Sequence, residues 1–484
     1  MIKKDLSLLT DLYQLTMMQG YFYQQRKGVK AIFDLFYRTN PSGSAFSIAA
    51  GLEQAIEYIE DLSFDEEAID YLRSLNLFQE EFLAYLLDFK FSGDVYAVKE
   101  GTVIFPHEPI LQVIAPICEA QLIETALLNI INHQSLIATK SARINWAAKG
   151  DAVLEFGLRR AQGPDAGIYG ARAAVIGGCS ATSNVLAGKW FNIPVKGTHA
   201  HSWVMSFPTE LEAFQAYAEI YDDSCMLLVD TFDTLKQGVP NAIKVFNALK
   251  AKDALPAYYG IRLDSGDLSY LSKKSREQLD AAGHEKAVIS ASSDLDEYLI
   301  RDLKLQGAKI TLWGVGTNLI TSKDCPAFGG VYKLAGHIID GELTPKIKLS
   351  DNVEKVTNPG HKKLLRIYDK KTSKLKADLI TLADESFDPS DPLTLFDPIN
   401  TWKTSVLLPD TYEIRELLHP IFINGDCVYD RPSTQEIKQY CELELNTLWD
   451  ETRRLINPQL VFVDLSQKLF DLKIKMIKEA QGHK

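Results

Sequence analysis

The chain has 484 residues, of which 46% are hydrophobic and 24% charged, and its formal net charge is −12. This length predicts two or three domains with ample core, and the composition is ordinary for a soluble globular protein. Because contacts to a nucleic-acid backbone need a basic face, the acidic balance argues against a nucleic-acid partner. No apolar run approaches the ~18 residues of a membrane span, so no membrane partner is expected.

The start of the chain and its cysteines bear on the compartment. The first residues, Met1 to Leu6, lack the apolar core of a signal peptide. The six cysteines are scattered without a CxxC pair, which favours reduced thiols over disulfides or a zinc knuckle. Together these features predict a cytoplasmic protein.

The first region, residues 1–135, is predicted to mix helices and strands. A helix opens at Thr10-Asp11, a strand follows at Ala31–Tyr37, and helical periodicity fills Leu52–Tyr85. Residues 94–113 alternate apolar and polar side chains between Gly and Pro, which predicts a small antiparallel β unit.

From residue 136 to 335, short apolar segments alternate with helical patterns. The alternation predicts β/α units, and six of them imply a parallel α/β barrel, complete or incomplete. The strand candidates are Ala152–Phe156, Ile193–Gly197, Met226–Asp230, Tyr259–Leu263, Ala287–Ser290 and Lys309–Trp313. The last region, 336–484, returns to mixed strands and helices and ends in a charged amphipathic helix near 465–480.

Two histidines follow the second strand candidate, in Gly197-Thr198-His199-Ala200-His201. Extended backbone would place both imidazoles on one side, and the helix after them starts with a capping box at Thr209 and Glu212. Loops that lead from strand to helix carry the chemistry of α/β barrels. The pair is interpreted as a metal site, as an acid/base or nucleophilic histidine, or as two ordinary surface histidines.

Charged motifs follow two other strand candidates. Arg159 and Arg160 come after the first strand and offer bidentate donors for a carboxylate or a phosphate. Asp264 and Asp267 flank a Ser-Gly pair after the fourth strand and suit sugar hydroxyls or a hydrated Mg²⁺. These residues predict a pocket for a charged, hydroxylated ligand.

A glycine-rich turn, Gly314-Val-Gly316-Thr317, follows the sixth strand candidate. Such a turn exposes backbone N–H groups that hold a phosphate at a helix start, and late barrel strands often carry a phosphate site. With the arginines and aspartates, the turn predicts a site for a phosphorylated sugar.

Each motif also has an ordinary structural interpretation. Gly-x-Gly is a common turn, an Arg pair is usually solvated, and Asp-Ser-Gly-Asp is usually a turn with a helix N-cap. Independent turns would scatter over both ends of a barrel, whereas these motifs fall at one predicted end. That coincidence favours a functional site.

The metal interpretation of the histidine pair lacks ligands. Barrels that begin a metal site with His-x-His need further His and Asp ligands from later strands. His284, the remaining histidine downstream in the barrel region, precedes a strand and so belongs to the opposite end. A closed metal site is therefore disfavoured.

Taken in order, these motifs resemble the signatures of the nicotinate phosphoribosyltransferase family, over nearly the whole chain. The similar segments begin at Thr10-Asp-Leu-Tyr13, Phe36-Tyr-Arg38, Glu155-Phe-Gly-Leu-Arg159, Thr182-Ser-Asn184, Gly197-Thr198, Ile261-Arg262, Gly314-Val-Gly316 and Arg454-Leu-Ile-Asn-Pro458. No single motif is decisive, but the ordered set is specific. The resemblance implies an α/β sandwich domain built from N- and C-terminal segments, together with an irregular, incomplete α/β barrel.

The resemblance also implies residue roles. It selects His201, and not His199, as the histidine that ATP phosphorylates. Tyr13, Thr198 and Arg262 match positions that hold nicotinate, and Arg262 is expected to be catalytic as well. His199 is left without a role.

The remaining roles concern the phosphoribosyl donor. Thr317, in the Gly-Val-Gly-Thr loop, matches a family position that holds the donor, and the loop's two glycines are expected to bind its phosphate. Chemistry suggests that Asp264 acts near the ribose and that Arg159, Arg160 and Asp267 contact the donor. Mg²⁺ is expected to bind through the substrate phosphates, and no protein ligand for it is assigned.

The implied reaction transfers a phosphoribosyl group from phosphoribosyl pyrophosphate to nicotinate, giving nicotinate mononucleotide for NAD synthesis. The pyridine nitrogen has a free lone pair, so no general base is needed. The enzyme must position the ring, stabilise a ribosyl cation and neutralise pyrophosphate. ATP is implied as a co-substrate, with its hydrolysis coupled through phosphorylated His201.

Other functions stay open at this point. A sister enzyme would use nicotinamide or quinolinate, and a protein of another class would bind a sugar phosphate as a non-catalytic regulator. The resemblance further implies a two-fold homodimer, in which the neighbouring chain supplies Tyr13 to a shared active site.

Overall fold

The computed structural model describes residues 5–221, 223–352 and 355–482. The chain divides into two compact units, and each is made of separate segments. The first unit comprises Met1–Leu136, Ala327–Pro432 and Gln439–Lys484, and the second comprises Ile137–Pro326 and Ser433–Lys438. The division into regions 1–135, 136–335 and 336–484 stays a prediction about how the chain is organised into domains.

An antiparallel sheet, with strands from both N-terminal and C-terminal segments of the chain, forms the centre of the first unit. In the described residues its seven strands lie in the order Glu342–Pro345, Gly330–Ile339, Lys30–Tyr37, Leu111–Pro116, Asp94–Ala97, His419–Ile423 and Asp426–Cys427. The strand Lys30–Tyr37 is buried at every position after the first. Its one charged core residue, Asp34, pairs with Lys362 Nζ at 2.8 Å and accepts a hydrogen bond from Gln112, so the buried charge is compensated. N- and C-terminal segments therefore share one sheet, as predicted.

The C-terminal part of this unit adds a smaller sheet and a hairpin. Within the described part, the order of the smaller sheet is Tyr412–Glu416, Lys362–Asp369, Leu375–Leu382 and Phe462–Leu465. The hairpin pairs Leu393–Phe396 with Thr404–Leu407, and a second short pair joins Ser47–Ile48 to Val103–Ile104.

Helices cover the sheets of the first unit. They are Leu12–Tyr23, Leu52–Asp61, Glu66–Ser74, Glu80–Leu87, Ile117–Leu122, Asp450–Arg453 and Gln467–Ala480, with a 3₁₀ turn at Pro41–Gly43. Two more, Glu124–Ala148 and Thr434–Thr447, contain unit boundaries. The first helix starts after Asp11 and the last after Ser466, so both predicted helices are confirmed.

A parallel sheet forms the second unit. Its strands are β1 (Ala152–Glu155), β2 (Ala181–Thr182), β3 (Ser224–Leu228), β4 (Tyr258–Leu263), β5 (Val288–Ala291) and β6 (Leu312–Val315). Over the described residues their order is β2-β1-β6-β5-β4-β3, and each neighbouring pair is parallel. Because β2 and β3 are not paired with each other, the sheet is a half-barrel. The predicted incomplete α/β barrel is confirmed.

Helices follow the strands of the half-barrel, as its β/α pattern requires. They are Pro164–Ile176, Val185–Phe191, His201–Met205, Glu210–Ile220, Val239–Ala251, Leu268–Ala281, Glu297–Leu305 and Thr317–Ile320. A 3₁₀ turn spans Leu158–Arg160 and a π turn spans Thr234–Gly238. Among the helices that the structure describes, none combines the length and apolar character of a bilayer span.

Two strand predictions were wrong in detail. The candidate Ile193–Gly197 forms only a parallel bridge between Val195 and Thr182, because Pro194 has no N–H for a continuous ladder. The strand in that part of the sheet is β2, which the sequence analysis did not predict. The sixth strand starts three residues and ends two residues later than expected, so Gly314 is inside β6 and does not belong to the turn after it.

Candidate active site

The carboxyl ends of the parallel strands bring the predicted polar residues of the second unit together. β1 leads into Arg159, β4 ends just before Asp264, and β6 leads into Thr317. His201 begins a short helix in the loop that precedes β3. In α/β barrels this end of the sheet carries the active site, so the fold supports a single candidate site.

Asp230, which the sequence analysis did not single out, connects three parts of this site. Its Oδ1 lies 3.2 Å from His201 Nε2. Its Oδ2 accepts hydrogen bonds from the backbone N–H of Asp264 at 2.9 Å and from Ser265 Oγ at 2.6 Å. The Asp230 side chain is 2% exposed. Its position two residues after β3 parallels that of Asp264 after β4, and this parallel was the available signal.

The contact with Asp230 fixes the chemical form of the His201 ring. A carboxylate only accepts hydrogen bonds, so Nε2 carries the proton and donates it to Asp230. Among the described residues, nothing hydrogen-bonds to the other nitrogen, Nδ1. The side chain is 38% exposed, so a ligand can reach Nδ1.

His199 has a different environment, although it is only two residues away. It is 8% exposed and packs edge-on against Tyr217, with ring centroids 4.7 Å apart. Its Nε2 accepts the backbone N–H of Leu228 at 3.2 Å, so its proton is on Nδ1. Burial, with smaller contributions from the nearby charges of Arg262 and His201, lowers the pKa of His199 to about 4. His199 is thus a neutral structural residue.

The expectation that the two imidazoles share one side was wrong. The chain leaves the extended conformation at Ala200 and starts the helix His201–Met205, which turns the second ring toward Asp230. Thr209 is the N-cap of the next helix, as predicted, and the Glu212 N–H donates to its Oγ1 at 3.2 Å. The Glu212 carboxylate accepts from the Thr209 hydroxyl, at 2.8 Å, and not from the Thr209 backbone N–H that a full capping box uses.

Arg262 and Thr198 meet at the centre of the site. One terminal nitrogen of the guanidinium donates to Thr198 Oγ1, and the other lies 4.0 Å from Asp264 Oδ1. The Arg262 Nε is buried, and no described residue accepts its hydrogen. Burial lowers the pKa of Arg262. A desolvated guanidinium with an unused donor is the arrangement that binds an anionic ligand.

The two predicted aspartates have unequal roles in the structure. Asp264 accepts a hydrogen bond from Ser292 Oγ and is one-third exposed toward the site. Asp267 caps the helix Leu268–Ala281, accepting the Tyr270 N–H at 2.8 Å. Gly266 between them has a φ of +76°, the left-handed conformation that glycine adopts without strain. The N-cap gives Asp267 a structural reason to be present.

Arg159 and Arg160 are exposed on the 3₁₀ turn after β1. Arg159 is near enough to Arg262 for its charge to lower the pKa of Arg262, although burial is the larger cause. The buried side chain of Glu155 stabilises the start of the turn. It accepts one hydrogen bond from the Gly157 N–H and another from Thr182 Oγ1 at 2.5 Å. Burial raises the pKa of Glu155.

The glycine-rich segment divides into a packed part and an accessible part. At Gly314, a Cβ would lie 2.7 Å from the Phe156 ring, so packing by itself requires glycine there. Gly316 and Thr317 are partly exposed where the short helix Thr317–Ile320 begins. Only this accessible part is free to present backbone N–H groups to a ligand.

The loop after β5 is another feature that the sequence analysis did not predict. Ser293 and Asp294 are exposed and have positive φ angles of 91° and 44°. Non-glycine residues with such angles store strain, which is common at functional sites. Asn318 holds the loop by donating to the Asp294 carbonyl at 2.8 Å. No residue pattern in the sequence signals this conformation.

One predicted site residue lies outside this cluster. Tyr13 is in the first unit, on the helix Leu12–Tyr23, and is 48% exposed. Over residues 5–221, 223–352 and 355–482, no group of three or more His, Cys, Asp or Glu side chains has the arrangement of a metal site.

Comparisons with known proteins identify one family. Three family models match the chain: the N-terminal domain of nicotinate phosphoribosyltransferase at residues 8–132, the nicotinate phosphoribosyltransferase family at 152–376, and the C-terminal domain of nicotinate phosphoribosyltransferase at 361–473. Together they span most of the sequence.

Named relatives match the chain over nearly its whole length. The chain is 48% identical to nicotinate phosphoribosyltransferase of Bacillus subtilis over 478 residues, covering 99% of this chain and 96% of the relative. The crystal structure of human nicotinic acid phosphoribosyltransferase superposes with a TM-score of 0.84 at 30% identity, covering 96% of this chain and 99% of the human chain. A nicotinate-nucleotide pyrophosphorylase from Pyrococcus furiosus, with a TM-score of 0.70 at 22% identity and coverage of 92% and 97%, shares the fold. The chain therefore belongs to the nicotinate phosphoribosyltransferase family of enzymes.

Proposed function

We propose that the enzyme transfers the phosphoribosyl group of phosphoribosyl pyrophosphate to the ring nitrogen of nicotinate, forming nicotinate mononucleotide and pyrophosphate. The observation that carries this proposal is the buried Arg262 guanidinium, whose Nε has no partner among the described residues. The ring carboxylate of nicotinate is the complementary group. The product is a precursor of NAD, which places the enzyme in pyridine-nucleotide salvage.

The charge of Arg262 supports nicotinate over nicotinamide. A carboxylate forms a charge-assisted pair with a guanidinium, whereas a neutral amide forms only ordinary hydrogen bonds. Thr198 Oγ1 accepts a hydrogen bond from one terminal nitrogen of Arg262 and so fixes the orientation of the guanidinium. The accessible Nδ1 of His201 also favours an enzyme over a non-catalytic regulator, because binding a sugar phosphate requires no nucleophile.

The donor is proposed to lie between the arginines of the β1 turn and the loops after β4 and β6. Arg159 and Arg160 are exposed cations that suit the pyrophosphate, while Thr317 and Gly316 suit a phosphate. Asp264 faces the site and suits the ribosyl cation that develops as the bond to pyrophosphate breaks. Asp267 and Gly314 are also proposed to contact the donor, and each has a structural role besides, as a helix N-cap and as a packing position.

ATP is proposed as a co-substrate that phosphorylates His201. In this step the Nδ1 lone pair forms a bond to the γ-phosphorus as the bond to the bridging oxygen breaks, and ADP leaves with that electron pair. The ring then carries phosphate on Nδ1 and a proton on Nε2. Asp230, which accepts the Nε2 hydrogen, stabilises the positive charge that the ring acquires. Transfer of the phosphoryl group to water restores the free ring.

The donor set fits Mg²⁺ that is held mainly by substrate phosphates. Mg²⁺ keeps several waters and binds through one or two carboxylates together with phosphates, and Asp264 is the accessible carboxylate here. Asp230 does not fit as a ligand, because both of its oxygens already accept hydrogen bonds from the protein. Bound Mg²⁺ would neutralise charge on the leaving pyrophosphate.

We also propose a two-fold homodimer in which Tyr13 of the neighbouring chain covers nicotinate. Support comes from the half-exposed side chain of Tyr13, an aromatic surface that is suited to stacking on a pyridine ring. No disulfide joins the six cysteines, all of which lie within the described residues, and this supports a reducing compartment such as the cytoplasm.

One assay tests the proposed reaction. Purified enzyme with Mg²⁺ and phosphoribosyl pyrophosphate should release pyrophosphate and form nicotinate mononucleotide only when nicotinate is added, and ATP should stimulate the rate. Equal turnover of nicotinamide, or release of CO₂ from quinolinate, would point to a sister enzyme. If nicotinate, nicotinamide and quinolinate all fail to cause pyrophosphate release, the result would favour a non-catalytic regulator that binds a sugar phosphate.

A second assay tests the histidine. Incubation with γ-labelled ATP should give an acid-labile, base-stable adduct on His201. His201→Asn should abolish ATP hydrolysis yet retain some ATP-independent transfer, because attack by the ring nitrogen needs no histidine. An adduct mapped to His199 would contradict the assignment.

A further inference from the structure

A cavity in the C-terminal part of the first unit contains an unpaired acidic side chain. The cavity measures about 380 Å³ and lies between the small sheet, the hairpin of Leu393–Phe396 and Thr404–Leu407, and the segment 449–462. This volume is within the range of sites for small molecules. None of its residues belongs to the parallel sheet of the second unit.

Asp464 is the unusual residue of this cavity. It lies on the edge strand Phe462–Leu465, in register with Leu379, and is only 4% exposed. Next to it is the apolar cluster that includes Leu379, Leu395 and Leu407. No described residue hydrogen-bonds to the Asp464 carboxyl or forms an ion pair with it. A buried carboxyl without a partner costs folding free energy, so its presence indicates a ligand.

The other charges around the cavity are already compensated. Lys376 pairs with Asp369 at 3.0 Å, and Lys403 lies 3.9 Å from Asp397 Oδ2. Asp397 also accepts the backbone N–H groups of Ile399 and Asn400. The uncompensated charge in the cavity is therefore that of Asp464, and the complementary ligand is a cation.

The walls define the rest of the ligand. Phe396, Trp449, Leu460 and Phe462 line the cavity with apolar and aromatic surface. Trp449 is held in place by its indole N–H, which donates to the Leu375 carbonyl at 3.0 Å. It is nevertheless 47% exposed, and Phe462 is 51% exposed, so both rings are accessible for stacking.

We propose that this cavity binds a small organic cation, a protonated amine or amidinium on a flat apolar body, whose charge pairs with Asp464. Burial, together with the nearby charge of Asp397, raises the pKa of Asp464 to about 7. The carboxyl is mostly neutral at pH 6 and mostly ionised at pH 8. Cation binding is therefore tighter at pH 8.

The test uses tryptamine as the cationic probe and tryptophol, its neutral hydroxyl analogue, as the matched control. Calorimetric titration of the full-length protein should show saturable one-to-one binding of tryptamine. Tryptophol should bind at least about tenfold more weakly, because it lacks the charge-assisted hydrogen bond. Affinity for tryptamine should rise by up to about tenfold from pH 6 to pH 8, following the ionised fraction of a carboxyl of pKa about 7.

Three variants make the assignment specific. Asp464→Asn should lose about tenfold in tryptamine affinity and all of the pH dependence, while Thr404→Trp should block the cavity with Asp464 intact. Glu413→Gln, the same charge change at an exposed position of the same sheet, should bind like the wild type. Absence of saturable binding, or equal affinities for tryptamine in wild type and Asp464→Asn, would overturn the proposal.

Discussion

Asp230 Oδ1 and His201 Nε2 lie 3.2 Å apart across 29 residues of sequence, joining the loop after β3 to the first turn of a short helix. The carboxylate orients the imidazole so that Nδ1 faces outward. It also connects His201 to the β4 loop, through the Asp264 N–H. The proposed site of phosphorylation and the proposed ribose contact thus share one buried acid.

The first prediction concerns that acid. Asp230→Asn removes the charge that stabilises the phosphorylated ring and allows the other tautomer of His201. We expect the rate of phosphohistidine formation to fall roughly 10- to 100-fold, by analogy with the loss of the hydrogen-bond partner of a metal-binding histidine. Rapid-quench measurement with γ-labelled ATP checks this. Asp233→Asn, an exposed aspartate three residues away, is the control and should react normally.

The second prediction concerns the pH dependence of stability through His199. Its pKa of about 4 in the folded state is below the ordinary 6.5, so the unfolded state binds the proton more tightly. The contribution of neutral His199 to the free energy of unfolding is complete above about pH 6.5 and is lost as the pH falls toward 4. The shift corresponds to about 3 kcal/mol.

His199→Gln keeps an acceptor for the Leu228 N–H but does not titrate. Chemical unfolding between pH 7 and pH 4.5 should therefore show a shallower loss of stability for this variant than for the wild type. An unchanged slope would contradict a buried neutral His199. Phosphorylation of His201 should persist in the variant.

The third prediction concerns Arg262. Arg262→Ala should weaken nicotinate binding by roughly 2–4 kcal/mol and narrow the preference over nicotinamide, since the charge-assisted pair is lost. Arg262→Lys retains the positive charge but lacks the paired N–H donors of the guanidinium, so it should recover only part of the nicotinate binding that Arg262→Ala loses. Steady-state KM values for both substrates provide the measurement. An unchanged nicotinate KM in Arg262→Ala would remove the residue from the nicotinate site.

The fourth prediction separates packing from ligand binding at Gly314. In Gly314→Ala, the new methyl group would lie 2.7 Å from the Phe156 ring, so we expect a destabilisation of about 1–3 kcal/mol. Thermal unfolding checks this. Gly197→Ala is the control, because nothing lies within 4 Å of its added Cβ and its midpoint should not change for steric reasons. A normal midpoint for Gly314→Ala would disprove the packing role.

The fifth prediction concerns the shared site. Tyr13→Ala subunits mixed with His201→Asn subunits should regain ATP-coupled activity, because one site of the hybrid dimer then has both native residues. Stacking of Tyr13 on nicotinate would contribute about 1 kcal/mol. Activity after confirmed subunit exchange is the measurement. Full activity of a monomer, or no recovery in the hybrid, would exclude a shared site.

Local patterns in the sequence determined much of this protein. The helix start at Thr209 was predictable because capping depends on residues within one turn. The parallel half-barrel followed from alternating strand and helix patterns, and the ordered motifs indicated the family. The strand near residue 195 was misplaced, because Pro194 prevents the ladder that the apolar pattern suggested.

Only the tertiary structure decided which residues meet. Arg262 and Thr198 are 64 residues apart, and Asp230 and His201 are 29 apart, so their contacts depend on strand order. Burial separated His199 from His201, although both occur in one motif, and it left Asp464 in a cavity without a partner from the described residues. A sequence motif specifies which chemical groups are available, whereas long-range packing sets their distances and solvation, which determine charge, tautomer and reactivity.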